Sequence, residues 1–455
     1  MTTMRGVLLA SAAVLLATGG LGAAQAQEVI SLQAWTIGPD EPSEPRATNL
    51  ELAAERLNTM LEEEGADWRV DVTADFDTVG WEGYRRRALL AFEAGEGPDI
   101  IQSAHVDVAA WADAGFIAPL TEDIEKHEAF DDIVEALWGA VTYRGERWGV
   151  PQDTEARPLY FSKAGLRELG WSEDEIEALP ERIRSGEFTW DDLIETAEAA
   201  VAAGVVQPGR GYWHRPVNGP DLFQFLLVHG GALQDPETGQ LIYAIEAGRG
   251  AFSMLRRMAD EGVFASSDVL NMAWPDFHRE TATGNVLFWS GGTWNWADWR
   301  ENYVADRGGD DYLFENVGFA LQAAVAGIDR PLTLSQPQAY MVNADSAHHD
   351  VAVRLLAAVQ DPEIEKNHFL RSLRPPILRA STELDEYQAN PFIQGITYML
   401  DYSTFQPLHP SLGQYSDSYF RTIQAVAFGQ FSPDEAAEIL AEELERELGD
   451  RVIIR

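Results

Sequence analysis

The sequence predicts an α/β protein with two lobes, and three observations support this fold class. Apolar segments with strand and helix periodicity alternate through the first hundred residues, as they do in lobes with a largely parallel sheet. The chain has 455 residues, which is more than one hydrophobic core usually serves. No low-complexity linker separates two halves, so we expect strands that cross between the lobes and form a hinge.

The first lobe is predicted to begin with the order strand, helix, strand, helix, strand. Residue spacing changes from alternating to helical and back, and turn-forming residues stand at the changes. Thr48 or Asn49 is the expected cap of the first helix. The predicted segments are a strand at 29–35, a loop at 36–40, a helix around 50–61, a strand at 68–73, a helix around 81–91 and a strand from 98.

Longer helices predominate after residues 147–151. Residues 189–192 open one of them, and residues 235–239 have the composition of a hairpin turn. Near the C-terminus, Ser432 and Glu435 form a capping-box pattern with Pro433 at the first helical position.

Residues 1–26 have the three parts of a secretory signal peptide in the right order. Arg5 provides the positive charge, an apolar stretch follows, and Ala24-Gln25-Ala26 is a cleavage signal. We therefore expect export to the periplasm. The sequence contains no cysteine, which predicts a protein without an N-terminal lipid anchor.

The charge balance is strongly acidic, with 33 basic and 74 acidic residues and a formal net charge of −41. Such a surface repels nucleic acid and anionic lipid head groups, so neither is an expected partner. Adaptation for solubility explains most of this charge.

No catalytic motif is recognisable. The sequence lacks the metalloprotease, nucleophile-elbow, P-loop and dinucleotide-binding patterns, and we expect no metal ion and no cofactor. One enzymatic alternative stays open, because Asp153 and Glu155 stand two residues apart and on a strand would share a face. A secreted carbohydrate-active hydrolase could use such a carboxylate pair.

The chemistry of binding is better represented than that of catalysis. Residues 288–299 contain four of the 14 tryptophans, and flat apolar rings suit the C–H faces of a sugar. Gly291 and Gly292 interrupt this segment and permit a close backbone approach to a ligand. Trp294 and Trp296 follow them, and each has two interpretations: ligand contact or packing in the core of the lobe.

Several short motifs occur in a fixed order along nearly the whole chain after residue 26. They are Gly97-Pro98-Asp99-Ile100, residues 111–120, Trp148-Gly149-Val150-Pro151, residues 159–163, residues 188–193, residues 283–288 and Gly291-Gly292-Thr293-Trp294. Each motif alone is weak, but their order and spacing are specific. Together they resemble the family 1 extracellular solute-binding proteins of ABC importers, which include maltose and trehalose receptors.

The resemblance implies two lobes, each with a mixed, mostly parallel sheet flanked by helices, around a cleft at the hinge. It implies a first lobe of residues 27–150 plus about 315–345, and a second lobe of 151–314 plus about 346–455. Ligand contacts would come from loops after strands on both lobes. Carried onto this sequence, the ligand-binding residues are Trp35, Asp40, Gln102, Ser103, His105, Asp153, Arg157, Trp213, Trp289, Gly291, Gly292, Trp294, Trp296, Gln336 and Arg374.

The function implied is capture of a mono- or oligosaccharide, or a related polyol, by hinge closure. A monomer would deliver this ligand to the membrane subunits of an ABC permease without transforming it. Residues 152–157 are more charged than a simple oligosaccharide groove requires. Arg157 could clamp an anionic sugar derivative, or it could form a salt bridge with Asp153 or Glu155. A lectin-like sensor and a peptide or polyamine receptor remain alternatives.

Overall fold

The computed structural model describes residues 27–264, 266–270, 272–328 and 331–455, so the predicted signal peptide lies outside the described residues. Five strands form the first sheet. Four of them run in one direction, and Gln338–Val342 runs antiparallel to these four. The spatial order is Trp68–Asp77, Glu28–Ile37, Ile100–Ala104, Gln338–Val342 and Val150–Asp153.

The second sheet has four strands, in the order Val317–Ala320, Leu159–Ser162, Phe288–Ser290 and Tyr212–Trp213. Leu159–Ser162 runs antiparallel to both of its neighbours. Three two-stranded ladders complete the strands. They pair Thr142–Tyr143 with Glu146–Arg147, Leu241–Tyr243 with Val452–Ile454, and Thr333–Ser335 with Ser403–Phe405.

Helices surround both sheets, which explains why the central strands are buried on both faces. Those near the first sheet are Pro45–Glu64, Trp81–Ala94, Val108–Asp113, Thr121–Ile124, His349–Ala358 and Pro362–Ser372. Those near the second sheet are Lys163–Glu168, Glu173–Arg184, Trp190–Ala203, Phe223–Val228, Ile245–Asp260, Ser266–Val269, Trp274–Ala282, Trp294–Asp298, Asp310–Asn316, Asp385–Gln388, Pro391–Thr397, Leu412–Ala427 and Pro433–Leu448.

Hydrophobic clusters cover each sheet separately. Ile100 and Ile101, adjacent in one strand of the first sheet, belong to clusters on opposite faces, because side chains alternate along a strand. The second sheet has one large continuous cluster. Pro362–Ser372 contributes to both lobes, since Ile364 packs in a first-sheet cluster and Phe369 in that of the second sheet.

The chain crosses between the sheets at residues 154–158 and 321–337. These two crossings touch one another through polar side chains. The Thr154 and Ser335 hydroxyl oxygens are 2.9 Å apart, and the backbone N–H of Arg157 donates to the Thr333 hydroxyl over 2.7 Å. The crossings were predicted as strands; residues 154–158 form no strand, whereas the second crossing contains the strand Thr333–Ser335.

Two of the predicted lobe boundaries need correction. Val317–Ala320 was expected in the first lobe but pairs with Leu159–Ser162 in the second sheet. This pairing is close because Gly318 has no side chain, and a Cβ there would lie 2.1 Å from the Phe161 ring. His349–Ala358 was expected in the second lobe, but its apolar face packs in the first lobe against Pro45–Glu64.

Helix starts agree with the sequence where capping residues are explicit. The capping box of Ser432 and Glu435 is confirmed. The first helix instead begins at Pro45, before the predicted caps Thr48 and Asn49. Proline is favoured at a first helical position because its fixed φ suits the helix and its missing N–H leaves no donor unpaired.

Glu365 connects the helix Pro362–Ser372 to the loop that follows it through hydrogen bonds. Its buried carboxylate accepts hydrogen bonds from the Ser381 hydroxyl and from the backbone N–H groups of Ile377 and Leu378. Burial raises the pKa of Glu365 from 4.5 to about 7, although these donors lower it.

The raised pKa of Glu365 predicts that the stability of the first lobe depends on pH. The folded state holds the proton of this carboxyl up to about pH 7, whereas the unfolded chain releases it near pH 4.5. The contribution of Glu365 to the free energy of unfolding is complete below pH 4.5. It is lost as the pH rises to 7, a decrease of up to about 3 kcal/mol. Urea unfolding of the wild type and of Glu365→Gln between pH 4.5 and 7.5 should show this loss only in the wild type.

Glu363→Gln is the matched control, because Glu363 is exposed on the same helix and should leave the pH profile of the wild type unchanged. Parallel profiles for the wild type and Glu365→Gln would show that Glu365 does not titrate in this range.

Candidate functional site

Asp153 ends a strand of the first sheet and is the centre of a buried polar cluster. Arg46 donates to its carboxylate over 2.7 Å and His368 over 3.0 Å, and the backbone N–H of Gln338 donates over 3.1 Å. The Nε atom of Arg374 lies 3.5 Å away. We call these side chains the Asp153 cluster. It joins two helices and two strands at the crossing between the sheets.

Charge pairing controls protonation in the Asp153 cluster. Burial raises the pKa of Asp153, but Arg46, Arg374 and His368 outweigh burial and hold that pKa far below its ordinary value. Burial lowers the pKa of His368 to about 4, against the opposite effect of Asp153. At neutral pH the carboxylate is therefore ionised and the imidazole is neutral.

Arg157 forms the second polar cluster, on the side of the second sheet. Its guanidinium contacts both Glu155 and Asp221, and it donates to the Gln336 side chain over 3.3 Å. Arg215 donates to the other oxygen of Asp221 over 3.0 Å. We call this set the Arg157 cluster. Of the two interpretations of Arg157, the salt bridge with Glu155 is the one present.

The two carboxyls of the Arg157 cluster respond differently to their surroundings. Burial raises the pKa of Glu155, and Arg157 only partly offsets this effect. Burial also raises the pKa of Asp221, but Arg157 and Arg215 together outweigh it and lower that pKa. Both guanidinium groups near Asp221 also donate hydrogen bonds to it, whereas the lowering effects of Arg157 and Arg374 on Glu155 are opposed by the nearby Asp153 and Asp221.

Trp294 connects the two clusters. The guanidinium carbon of Arg157 is 4.9 Å from the centre of its ring, and that of Arg374 is 5.3 Å away. Both distances are typical of cation–π contacts. The ring folds back over Gly292, where a Cβ would lie 1.9 Å from it. Glycine is therefore required here by the indole of Trp294.

Four more predicted residues lie in the strand Ile100–Ala104 of the first sheet or directly after strands of that sheet. Gln102 donates to Gln338 over 3.1 Å, and the Ser103 hydroxyl donates to Asp107 over 2.5 Å. Asp40 accepts from the hydroxyl of Ser43. The ring nitrogens of His105 lie 3.2 Å from the carbonyl of Pro337 and 3.1 Å from that of Gln406, and burial lowers the pKa of His105 to about 4.

Four other predicted tryptophans contact side chains outside the two clusters. Trp296 is fully buried among Phe314, Phe319 and Phe392. The other three are also engaged by protein side chains. Trp213 stacks on Phe277, Trp289 stacks on Tyr160, and the ring of Trp35 is covered by Arg87 at 3.7 Å. Large apolar rings reduce their exposed area most by packing in a core.

Sequence reasoning missed four charged or polar members of the clusters: Arg46, His368, Arg215 and Asp221. A signal existed for the first of them. Arg46 stands four residues before Leu50, so it continues the buried face of its helix. His368 likewise follows the buried Ile364 by four residues. Asp221 and Arg215 had no such signal, because irregular segments position them.

A large groove of about 1150 Å³ lies away from both clusters. One wall comes from Asp113, Gly139 and residues 142–144, and the other from residues 231–240, 404–411 and 450–451. The walls therefore belong to different lobes. None of the predicted ligand-binding residues, all of which the structure describes, lines this groove.

The described residues contain no group of three or more histidine, aspartate or glutamate side chains arranged to hold a metal ion. Among the helices of that same part of the chain, none combines the length and hydrophobicity needed to cross a membrane.

Comparison with solved structures confirms the two-lobed fold. The GacH receptor of Streptomyces glaucescens, crystallised unliganded and with acarbose, superposes with a TM-score of 0.71 at 18% identity, covering 93% of this chain and 99% of that one. The sugar-binding protein MalE of Xanthomonas citri superposes with a TM-score of 0.72 at 18% identity, covering 93% and 98%.

Sequence relatives match over shorter stretches. The diacetylchitobiose binding protein DasA of Streptomyces coelicolor is 23% identical over 163 residues, which are 32% of this chain and 35% of DasA. An uncharacterized lipoprotein of Streptomyces antibioticus is 32% identical over 97 residues, 21% of each chain. The match thus spans about a third of DasA and about a fifth of the lipoprotein.

The family of bacterial extracellular solute-binding proteins matches residues 54–366. This match covers well over half of the chain and includes strands of both sheets, the two crossings, the whole Arg157 cluster and Asp153. The chain belongs to the bacterial extracellular solute-binding protein family.

Proposed function

We propose that this protein is the substrate-binding component of an ABC importer and captures a sugar or related polyhydroxylated solute by hinge closure. The family and the fold support this proposal. Similar proteins support the ligand class, since they include receptors in complex with acarbose, tagatose and maltose and a diacetylchitobiose binding protein.

The observation that carries the proposal is the position of Trp294 between two arginines. Trp294 is assigned to the second lobe and Arg157 to the crossing beside it, whereas Arg374 contacts Asp153 at the first sheet. A half-buried aromatic face beside planar hydrogen-bond donors suits a sugar ring and its hydroxyl groups. A ligand at this ring would touch both lobes, and it would therefore stabilise the closed form.

We assign residues 27–153 and about 338–372 to the first lobe, and residues 159–320 and about 380–455 to the second. The crossings at 154–158 and 321–337, with the connection at about 373–379, are the proposed hinge. The chain would act as a monomer in the periplasm, after export directed by residues 1–26, and deliver its ligand to permease subunits. Attachment of lipid to a cysteine needs a residue that the sequence lacks.

One prediction of the proposed function concerns the aromatic face of Trp294. Trp294→Ala should weaken binding of the sugar by about tenfold or more, because the stacking surface is lost while the lobes stay folded. Isothermal titration calorimetry with mono- and oligosaccharides measures the affinity. Small-angle scattering of the wild type should also show a smaller radius of gyration with the bound sugar than without it.

Trp68→Ala is the matched control. Trp68 is also half-buried beside an arginine, with Arg354 at 5.7 Å, but it begins a strand at the edge of the first sheet. The control should keep the wild-type affinity. Equal affinities for the wild type and Trp294→Ala would remove Trp294 from the binding site.

Another prediction distinguishes a receptor from a hydrolase. We propose that Asp153 has a structural role, because arginine and histidine side chains already hold its carboxylate. Asp153→Asn should lower the free energy of unfolding by about 3–5 kcal/mol, since Arg46 and Arg374 lose their buried counter-charge. Urea denaturation measures this change, and Asp276→Asn, in an exposed pair with Arg279, should have little effect.

The same experiment includes a test for turnover. Oligosaccharides incubated with the wild type should be recovered intact by chromatography. Release of product by the wild type, lost in a folded Asp153→Asn variant, would instead establish the hydrolase.

A further inference from the structure

The two polar clusters contain unequal numbers of positive and negative side chains. Arg46, Arg157, Arg374 and Arg215 face three carboxylates, and only Arg215 retains appreciable exposure, at 15%. The carboxylates are Asp153, Glu155 and Asp221. Because His368 is neutral at pH 7, the guanidinium groups outnumber the buried carboxylates by one, and the half-buried Asp40 is a further carboxylate that acts on Arg374.

Hydrogen-bonding capacity is unequal in the same direction. Both carboxylate oxygens of Asp153 and both of Asp221 already accept hydrogen bonds. The unused groups next to Trp294 are donors. The Nε atoms of Arg157 and Arg374 and the hydroxyl of Thr293 are buried without a hydrogen-bond partner among the described residues. The Nδ1 atom of His368, an acceptor in the neutral imidazole, is also unpaired among these residues. The two guanidinium groups beside Trp294 still have donors without acceptors, and an acceptor-rich ligand would supply them.

Arg374 is the most weakly held member of the set. Its Nε atom is 3.5 Å from the carboxylate of Asp153, and its Nη1 atom is 3.4 Å from the hydroxyl of Ser43. Charge-assisted hydrogen bonds are usually about 2.7–2.9 Å long. Burial lowers the pKa of Arg374, although Asp153 opposes this effect. A buried guanidinium with only long contacts has the capacity for another anionic partner.

We propose that the preferred ligand of this site is a sugar acid, whose carboxylate pairs with Arg374 while its ring stacks on Trp294. This inference rests on the proposed function as a sugar receptor and specifies its ligand class. The planar guanidinium matches the two oxygens of a carboxylate. The excess of one guanidinium over the buried carboxylates matches one carboxylate better than a phosphate, which carries nearly two negative charges at pH 7.

The test is calorimetric titration of the wild type with matched pairs of ligands: glucuronate and glucose, and galacturonate and galactose. Glucose 6-phosphate and neutral oligosaccharides complete the panel. The sugar acid of at least one pair should bind about tenfold or more tightly than its neutral partner. This preference should decrease with increasing salt concentration only moderately, because the charges are buried.

Arg374→Gln should abolish the preference for the acid, and its folding is checked by circular dichroism. Arg371→Gln is the matched control, because Arg371 is 42% exposed and pairs with Glu44. The control removes the same charge from the same chain segment and should keep the preference. If Arg374→Gln does not fold, the matched pairs measured with the wild type decide the inference alone.

The possible failures are distinguishable. Neutral sugars that bind as tightly as their acids, or more tightly, would overturn the inference and leave the proposed function intact. Tighter binding of glucose 6-phosphate than of either acid would also overturn it. Absence of binding across the whole panel would contradict both the inference and the proposed function.

Discussion

Desolvated charge at the crossing between the two sheets is the constraint on which the rest of the structure depends. An ionised carboxylate removed from water needs close partners, because an uncompensated buried charge costs several kcal/mol. Asp153 obtains its partners from the helix that contains Arg46, the helix that contains His368 and the strand that begins at Gln338. One carboxylate therefore fixes where distant segments of the chain must meet.

The same crossing explains how the molecule can bind by a change of shape. Residues 154–158, residues 321–337 and the segment after residue 372 connect the two cores, and the helix Pro362–Ser372 packs in both of them. Rotation about these connections would leave most of each core intact. Trp294 lies where the polar clusters from the two lobes meet, and the large groove has one wall on each lobe. Rotation must change the width of that groove together with the spacing around Trp294.

Residues with a periodic or local signal were predictable, and residues fixed by distant contacts were not. The alternation of strands and helices and the capping box at Ser432 follow from local preferences. The pairing of Val317–Ala320 with the second sheet does not, because a four-residue apolar strand fits either sheet. Trp294 and Trp296 are two residues apart in the same short helix, yet Trp294 borders the polar clusters and Trp296 fills a core.

The sequence by itself determined the fold class, the family and the types of residue available for binding, since these depend on periodicity, composition and the order of motifs. Only the tertiary structure decided which of these residues come together. Arg46 and Arg374 are separated by more than three hundred residues, and both approach Asp153. Electrostatic partnership depends on distance in space and on exclusion of water, and neither can be read from positions along a chain.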